Sequence, residues 1–284
     1  MVHNRLLCTG DPILDIYIDE DGSVSQKRGG AENIYQNIIA LLLGKGANRE
    51  VARSVILDFA YPFPDRNRTD IRDVYTIVKP KRQHHIHNVY KEIYSKDIHL
   101  VSPNERKYFY DPGQDSIYQE IIDFKPNVLV LGDYNKGSLN CEGHQSDSER
   151  PLPPIGIAIA DSRYRSLHPS WLSTSNVKIW HATGKEYDYE WGKQFDYIFH
   201  TDGPRPVKIY KKNVLLTEIK VPENFNIANT CGAGDTFTAT LAAKLLYKPN
   251  IDDIRMTKIA KFAIEVCQEV ISMPYTATTT KRIL

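Results

Sequence analysis

The chain has 284 residues, 41% of them hydrophobic and 25% charged, a balance usual for soluble globular proteins and within reach of one large α/β domain. A formal net charge of +1 supplies no general field for nucleic acid or an anionic membrane, so any anion site has to be built locally. The cysteines (Cys8, Cys141, Cys231, Cys267) are scattered and form no CxxC pair. That argues against a disulfide framework or a zinc site and for reduced thiols in a cytoplasmic setting. Met1 is followed by His3, Asn4 and Arg5 and a short apolar stretch, too little for a secretory signal. No apolar run approaches the roughly 20 residues that span a bilayer, so the sequon at 67–69 is read as chance.

Residues 5–10 (RLLCTG) read as a short buried strand ending at a polar turn. Ile16, Tyr17 and Ile18 precede Asp21-Gly22, and Ser23, Val24 and Ser25 follow, a hairpin signal. Gly29-Gly30 opens a helix in which Ile34, Ile38 and Leu41 or Leu42 recur at helical spacing, stopping near Gly44 and Gly46. Residues 47–68 mix charge, proline and aromatics and read as loop with one strand near 55–59. VYTIV and HIHNVY, separated by Lys79-Pro80-Lys81 within 72–90, predict two extended strands.

Beyond Ser116 the pattern is regular. Ile117, Ile121 and Phe124 mark a helix face, and VLVL (128–131) is an apolar strand ending in GDYNKG. A polar, proline-ended stretch at 140–154 predicts a surface loop. IGIAIA (155–160) is a second apolar strand, ending in DSRYR. Further strands are expected at 177–180, 197–200, 206–210 and 213–221, and helices at 235–247 and 252–271. Apolar strands alternating with helices define an α/β fold with a mostly parallel sheet covered on both faces. Ligands bind such sheets at the carboxyl ends of the strands, where the polar residues of 10–15, 133–136 and 161–165 would share one rim.

The strongest chemical signal is NTCGAGDTFTATLAA at 229–243. Small residues at a helix start leave backbone N–H groups open to an anion. A carboxylate there, Asp235, could take the proton from an alcohol attacking a phosphoryl group, or could simply cap the helix. This string resembles the signature of the ribokinase/PfkB family of carbohydrate kinases, whose G-A-G-D turn holds the anion hole and the catalytic Asp. Four other segments resemble the family in order. They are GDPILD (10–15), GGAEN (29–33), GDYNKG (132–137) and DSR (161–163), and the last two, with TAT (276–278), are similar to the kinase domain of the bacterial heptose-7-phosphate kinase/ADP-heptose synthase. The likeness covers roughly 1–45 and 110–284, and 46–109 only loosely. The nucleotidyltransferase half of the bifunctional enzymes is not expected here.

What this resemblance implies is a single ribokinase-like three-layer domain over 1–284, with lid strands from about 16–28 and 72–90. Asp235 would be the base, with Gly232, Ala233 and Gly234 holding the transferring phosphoryl charge. Asp15, Gly29, Gly30 and Asn33 would bind the acceptor. Lys136, Arg163, Thr183, Thr201 and Gly203 would hold nucleotide, and Glu186 would act on Mg²⁺ through water. ATP and Mg²⁺ are then the cofactors, a sugar or sugar phosphate the small-molecule partner, and the lid a possible homodimer contact. No nucleic acid or membrane partner is expected.

The sequence also departs from the family. Where N-x-x-E is expected it reads T-G-K-E (183–186), Pro206 replaces the last glycine of a T-x-G-x-x-G turn and removes an N–H, and no G-x-D-x-x-G segment stands in 46–70. A weakened or non-catalytic binding protein on the same fold is therefore the alternative, and a nucleoside or vitamin-alcohol kinase a third reading. His84, His85 and His87 suggest zinc, but no fourth ligand accompanies them and a lid or edge strand explains them better. GKGANR (44–49) is not a Walker A loop.

Overall fold

A computed structural model describes residues 4–18, 24–44, 55–60, 74–78, 114–134, 138–139, 151–162, 167–223, 226–247, 249–273 and 277–283. In chain order the elements are β1 (Asn4–Gly10), β2 (Pro12–Ile18), β3 (Val24–Gly29), α1 (Gly30–Leu43), β4 (Val55–Ala60), β5 (Val74–Val78), α2 (Gln114–Phe124), β6 (Val128–Asp133) and β7 (Ile155–Ser162). Then come β8 (Ser175–Thr183), the single turn α3 (Tyr189–Gly192), β9 (Tyr197–Thr201), β10 (Val207–Lys211), β11 (Val214–Ile219), α4 (Ala233–Tyr247) and α5 (Asp253–Ile271).

An eight-stranded sheet runs in the order β11-β10-β9-β8-β7-β6-β1-β4. Every pairing from β4 to β9 is parallel, and β10 and β11 are added antiparallel at one edge. Successive side chains on a strand face opposite ways, which divides the core in two. Leu6, Cys8, Val130, Ile159, Ile179 and Phe199 pack under α1, α4 and α5. Leu7, Leu129, Leu131, Ala160, Trp180 and Ile198 pack with Ile117 and Ile121 of α2 and with Trp171. Burial on both faces is why these strands read as unbroken apolar runs. The result is a three-layer α/β fold.

A second sheet of three strands, in the order β3-β2-β5, stands beside it. β2 begins at Pro12, earlier than the run at Ile16 suggests, because the chain leaves the main sheet at once after β1. Gly10 (φ +130°) makes this possible, since a Cβ there would lie 2.1 Å from the Gly132 carbonyl oxygen. Asp11 N–H then donates to that same oxygen at 2.9 Å. β6 and β7 run past the apolar residues that mark them, through Asp133 and Ser162. Their polar ends pair with each other, Ser162 Oγ donating to Asp133 Oδ2 at 2.5 Å, so the ladder continues. The expected strand HIHNVY, most of the 140–154 loop and the stretch 46–54 lie outside the described residues, as do the three histidines.

Candidate active site

Register places the rim. Gly10 of β1 pairs with Gly132 of β6, Gly132 with Asp161 of β7, Asp161 with His181 of β8 and His181 with Phe199 of β9. The carboxyl ends of five parallel strands thus lie at one level, and α4 begins there. The turn into α4 is held from several sides. Asn229 and Ala228 donate their N–H groups to the Ile271 carbonyl at the end of α5, at 3.1 and 2.8 Å. Asn229 Oδ1 accepts from Cys231 N–H at 3.0 Å. Gly232 adopts φ +82°, a backbone that residues with a Cβ avoid. Its carbonyl accepts the first helical bond, from Thr236 N–H at 2.9 Å. The N–H of Ala233 donates back to Thr230 at 3.3 Å, while the amides of Gly234 and Asp235 fall in the first turn, which has no intrahelical acceptors.

Asp235 is the third residue of α4 and only 3% exposed. Both of its oxygens are engaged by donors. Tyr134 O–H reaches Oδ1 at 2.5 Å, and Asn33 Nδ2 reaches Oδ2 at 2.8 Å. Two donors offset part of the cost of burying a carboxylate, and its remaining lone pairs can still receive a proton. Neighbouring thiols register the carboxylates here. The Cys8 thiol is pushed well above its usual value by burial first, then by Asp161, Asp235 and Glu32. Cys267 is pushed up by burial and then by Asp235. Its Sγ donates to the Ala233 carbonyl at 3.2 Å and pins the start of α4.

The other rim carboxylates have structural partners. Asp11 accepts from Tyr134 N–H at 2.8 Å and from Ser138 N–H at 3.1 Å and Oγ at 2.5 Å, and so holds both residues at the rim. Asp161 Oδ2 accepts from Thr238 Oγ1 of α4 at 2.9 Å. His181, fully buried, has Nδ1 2.9 Å from that hydroxyl and 3.5 Å from Asp161 Oδ2, and Nε2 2.9 Å from Thr201 Oγ1. A buried polar chain therefore links β7, α4, β8 and β9.

The sequence-based candidates fall into groups. Gly232, Ala233, Gly234, Asp235 and Asn33 come together. Gly29 and Gly30 lie where β3 becomes α1, and Ala31 N–H donates to the Asp11 carbonyl at 3.0 Å, tying α1 to the rim. Asp15 does not sit on the rim with Asp11, as a single 10–15 cluster would require. It lies within β2 of the small sheet, paired with Lys27 and Thr76. Thr183 and Thr201 are register partners at the ends of β8 and β9. Gly203 (φ +56°) has open space around it, in a turn closed by Arg205 N–H on the Asp202 carbonyl at 3.1 Å, with Pro206 leading into β10. Lys136 and Arg163 lie outside the described residues. Asp11, Tyr134, Asn37 and His181 were not singled out from sequence. Asn37 had a readable signal, a polar residue on the otherwise apolar Ile34–Ile38 face of α1. A lone histidine in the apolar run of β8 was another.

Thr183 and Glu186 form a capping arrangement around a short 3-10 turn, and its better half is Glu186 Oε2 accepting from Thr183 N–H at 3.1 Å. The Thr183 hydroxyl is buried and, among the described residues, makes no hydrogen bond of good geometry, so its half of the cap is the weaker one. No group of three or more His, Cys, Asp or Glu capable of holding a metal occurs among the described residues. One carboxylate and one hydroxyl fit an Mg²⁺ carried mainly by phosphates and water, and not one held in a protein cage.

No family model matches the chain, and no curated protein matches it in sequence. Solved structures do match. A fructokinase double mutant from Vibrio cholerae O395, with fructose, ADP and potassium ion bound, aligns over 99% of this chain and 96% of its own, with TM-score 0.61 and 13% identity. Fructokinase from Xylella fastidiosa with bound ATP aligns over 98% and 95%, with TM-score 0.60 and 13% identity. Ribokinase from Thermotoga maritima aligns over 97% and 95%, with TM-score 0.55 and 11% identity. The fold is ribokinase-like.

Proposed function

We propose that this chain is a carbohydrate kinase that moves the terminal phosphoryl group of ATP to a hydroxyl of a sugar or sugar phosphate, heptose-7-phosphate-kinase-like in its acceptor. The observation that carries the reading is Asp235, buried at the amide-rich start of α4 and aligned by Tyr134 and Asn33. The fructokinases and ribokinase of the same fold support it. Asp235 removes the hydroxyl proton as the new O–P bond forms and the bond from the γ-phosphorus to the bridging oxygen of ADP breaks. The turn 232–234 serves the charge on the transferring group, with the Ala233 N–H turning from its long bond to the Thr230 carbonyl.

Asp15, Gly29, Gly30 and Asn33 hold the acceptor in this proposal. Thr183, Thr201, Gly203, Lys136 and Arg163 serve the nucleotide. Glu186 with Thr183 would hold Mg²⁺ through water, and the ion when bound supplies charge neutralisation on the phosphates. The chain works as one domain over 1–284, with the small sheet as lid and a site of homodimer contact, in the cytoplasm. No helix among the described residues is long and apolar enough to cross a membrane.

One observation favours a second reading, retention of the fold for binding alone. The hydroxyl at 183 is buried with no hydrogen bond of good geometry among the described residues, where the resembling kinases carry an asparagine. Release of ADP from ATP and Mg²⁺ with a panel of heptose, hexose and pentose phosphates and free sugars separates the two. Wild type is expected to turn over at least one acceptor, and Asp235→Asn to fall about 100-fold or more. Turnover no higher than that of Asp235→Asn across the panel would leave the binding protein as the better account.

A further inference from the structure

A chain of amide hydrogen bonds reaches Asp235 from the strap 277–283, which is bonded to α1 at Asn37 and Leu41. Asn37 is fully buried one turn beyond Asn33. Its Oδ1 accepts from the main-chain N–H of Thr279 at 3.0 Å. Its Nδ2 donates to Asn33 Oδ1 at 3.1 Å, to the Asn33 carbonyl at 3.0 Å and to the Ala277 carbonyl at 3.4 Å. Asn33 Nδ2 in turn donates to Asp235 Oδ2 at 2.8 Å. The strap is fixed at its far side by Glu269 of α5, which accepts from Thr280 N–H at 2.9 Å and from the hydroxyls of Thr279 and Thr280.

The direction of this chain follows from its first member. A main-chain N–H can only donate, so Asn37 must present its oxygen to Thr279 and its NH₂ group to Asn33. Asn33 must then receive on its oxygen and offer its own NH₂ to Asp235. Were Asn37 reversed, Asn33 would point an oxygen at a buried carboxylate, two acceptors in contact.

We infer that Asn37, oriented by the Thr279 N–H of the strap, is a positioning residue that fixes the amide of Asn33 so that Asp235 faces a donor and stays ionised. The inference deepens the kinase reading and rests on it for its catalytic meaning, but the hydrogen-bond relay can be tested without turnover. The groups that face Asp235 are Tyr134 after β6, Asn33 of α1, and the thiols of Cys8 on β1 and Cys267 on α5, which feel its charge. A change at 37 replaces none of these residues, and of them only Asn33 touches Asn37.

The experiment is a ¹³C carboxyl NMR titration of aspartate-labelled full-length protein, with the Asp235 signal assigned by its loss in Asp235→Asn. Asn37→Leu is neutral and similar in size, and removes both ends of the relay. The Asp235 midpoint is expected to rise by about one unit, a tenfold change in its protonation equilibrium. Asn37→Ser keeps one acceptor and one donor at shorter reach, is small enough to fold should leucine fail, and is expected to give a smaller rise. A midpoint unchanged or lowered in the folded variants overturns the inference, whether or not wild type phosphorylates any sugar. Where wild type does turn over, the acid limb of kcat should move with the NMR midpoint. An acid limb that stays in place also overturns it.

Discussion

At the scale of single residues, Tyr134 shows how much of Asp235 is decided by its neighbours. The tyrosine is 2% exposed, and its hydroxyl spends its proton on Asp235 Oδ1. Removing a donor from a buried carboxylate disfavours the anion, so Tyr134→Phe should raise the Asp235 pKa. The acid limb of the kcat profile then moves to higher pH, and activity lost at neutral pH returns in part as pH rises. The hydrogen bond to a charged group is worth about 1.5–3 kcal/mol, which sets the expected loss in urea unfolding at neutral pH. A variant with the wild-type profile would mean that Asn33 alone orients Asp235. Sequence could not assign this role. GDYNKG marks the segment as a rim, but Tyr134 reaches a helix start 101 positions away with its own N–H held by Asp11, a pairing that local sequence does not reveal.

At the scale of elements, the strand and helix pattern was legible because each central strand is buried on both faces and α1, α2 and α5 each on one, while α4 is buried nearly all round. Periodicity reports that directly for β6, β7, α1 and α5. What it underestimates is the strand ends, where Asp133, Asp161 and Ser162 are as buried as the apolar residues before them, because their partners come from elsewhere in the chain. The start of α4 is the converse case, a turn and helix start that local sequence marks. Gly232 at φ +82° is where the turn delivers its amides, and a Cβ in left-handed backbone costs about 1–2 kcal/mol. Gly232→Ala is expected to lose about that much stability in urea unfolding and to reorient the amides of the first turn. Turnover should fall by about tenfold or more, as removal of preorganised donors does, with the sugar KM little changed. A fall in stability with kcat intact would show that these amides do not face the reacting group.

At the scale of the whole molecule, the least legible part is the strap, which has no periodicity to read and yet joins three helices of one layer. Its Thr279 N–H meets Asn37 of α1, Ile283 N–H donates to the Leu41 carbonyl at 3.2 Å, and Lys244 of α4 reaches the Ile283 carbonyl at 3.3 Å. Glu269 of α5 closes the set. Burial alone would raise the Glu269 carboxyl, but the hydrogen bonds from Thr279, Thr280 and Lys281 more than offset it and hold its pKa below the ordinary glutamate value. A carboxylate lowered on folding adds stability that is complete above its unfolded pKa and lost as pH falls through the folded one. Glu269→Gln should therefore lower Tm near neutral pH by about 2 °C, a modest effect because the group is partly exposed and screened. The wild-type and variant curves should converge in acid, as thermal unfolding followed from pH 7 down to pH 3 would show. A gap that stays constant over that range would place the strap's anchorage in packing, with the Glu269 charge contributing nothing to it.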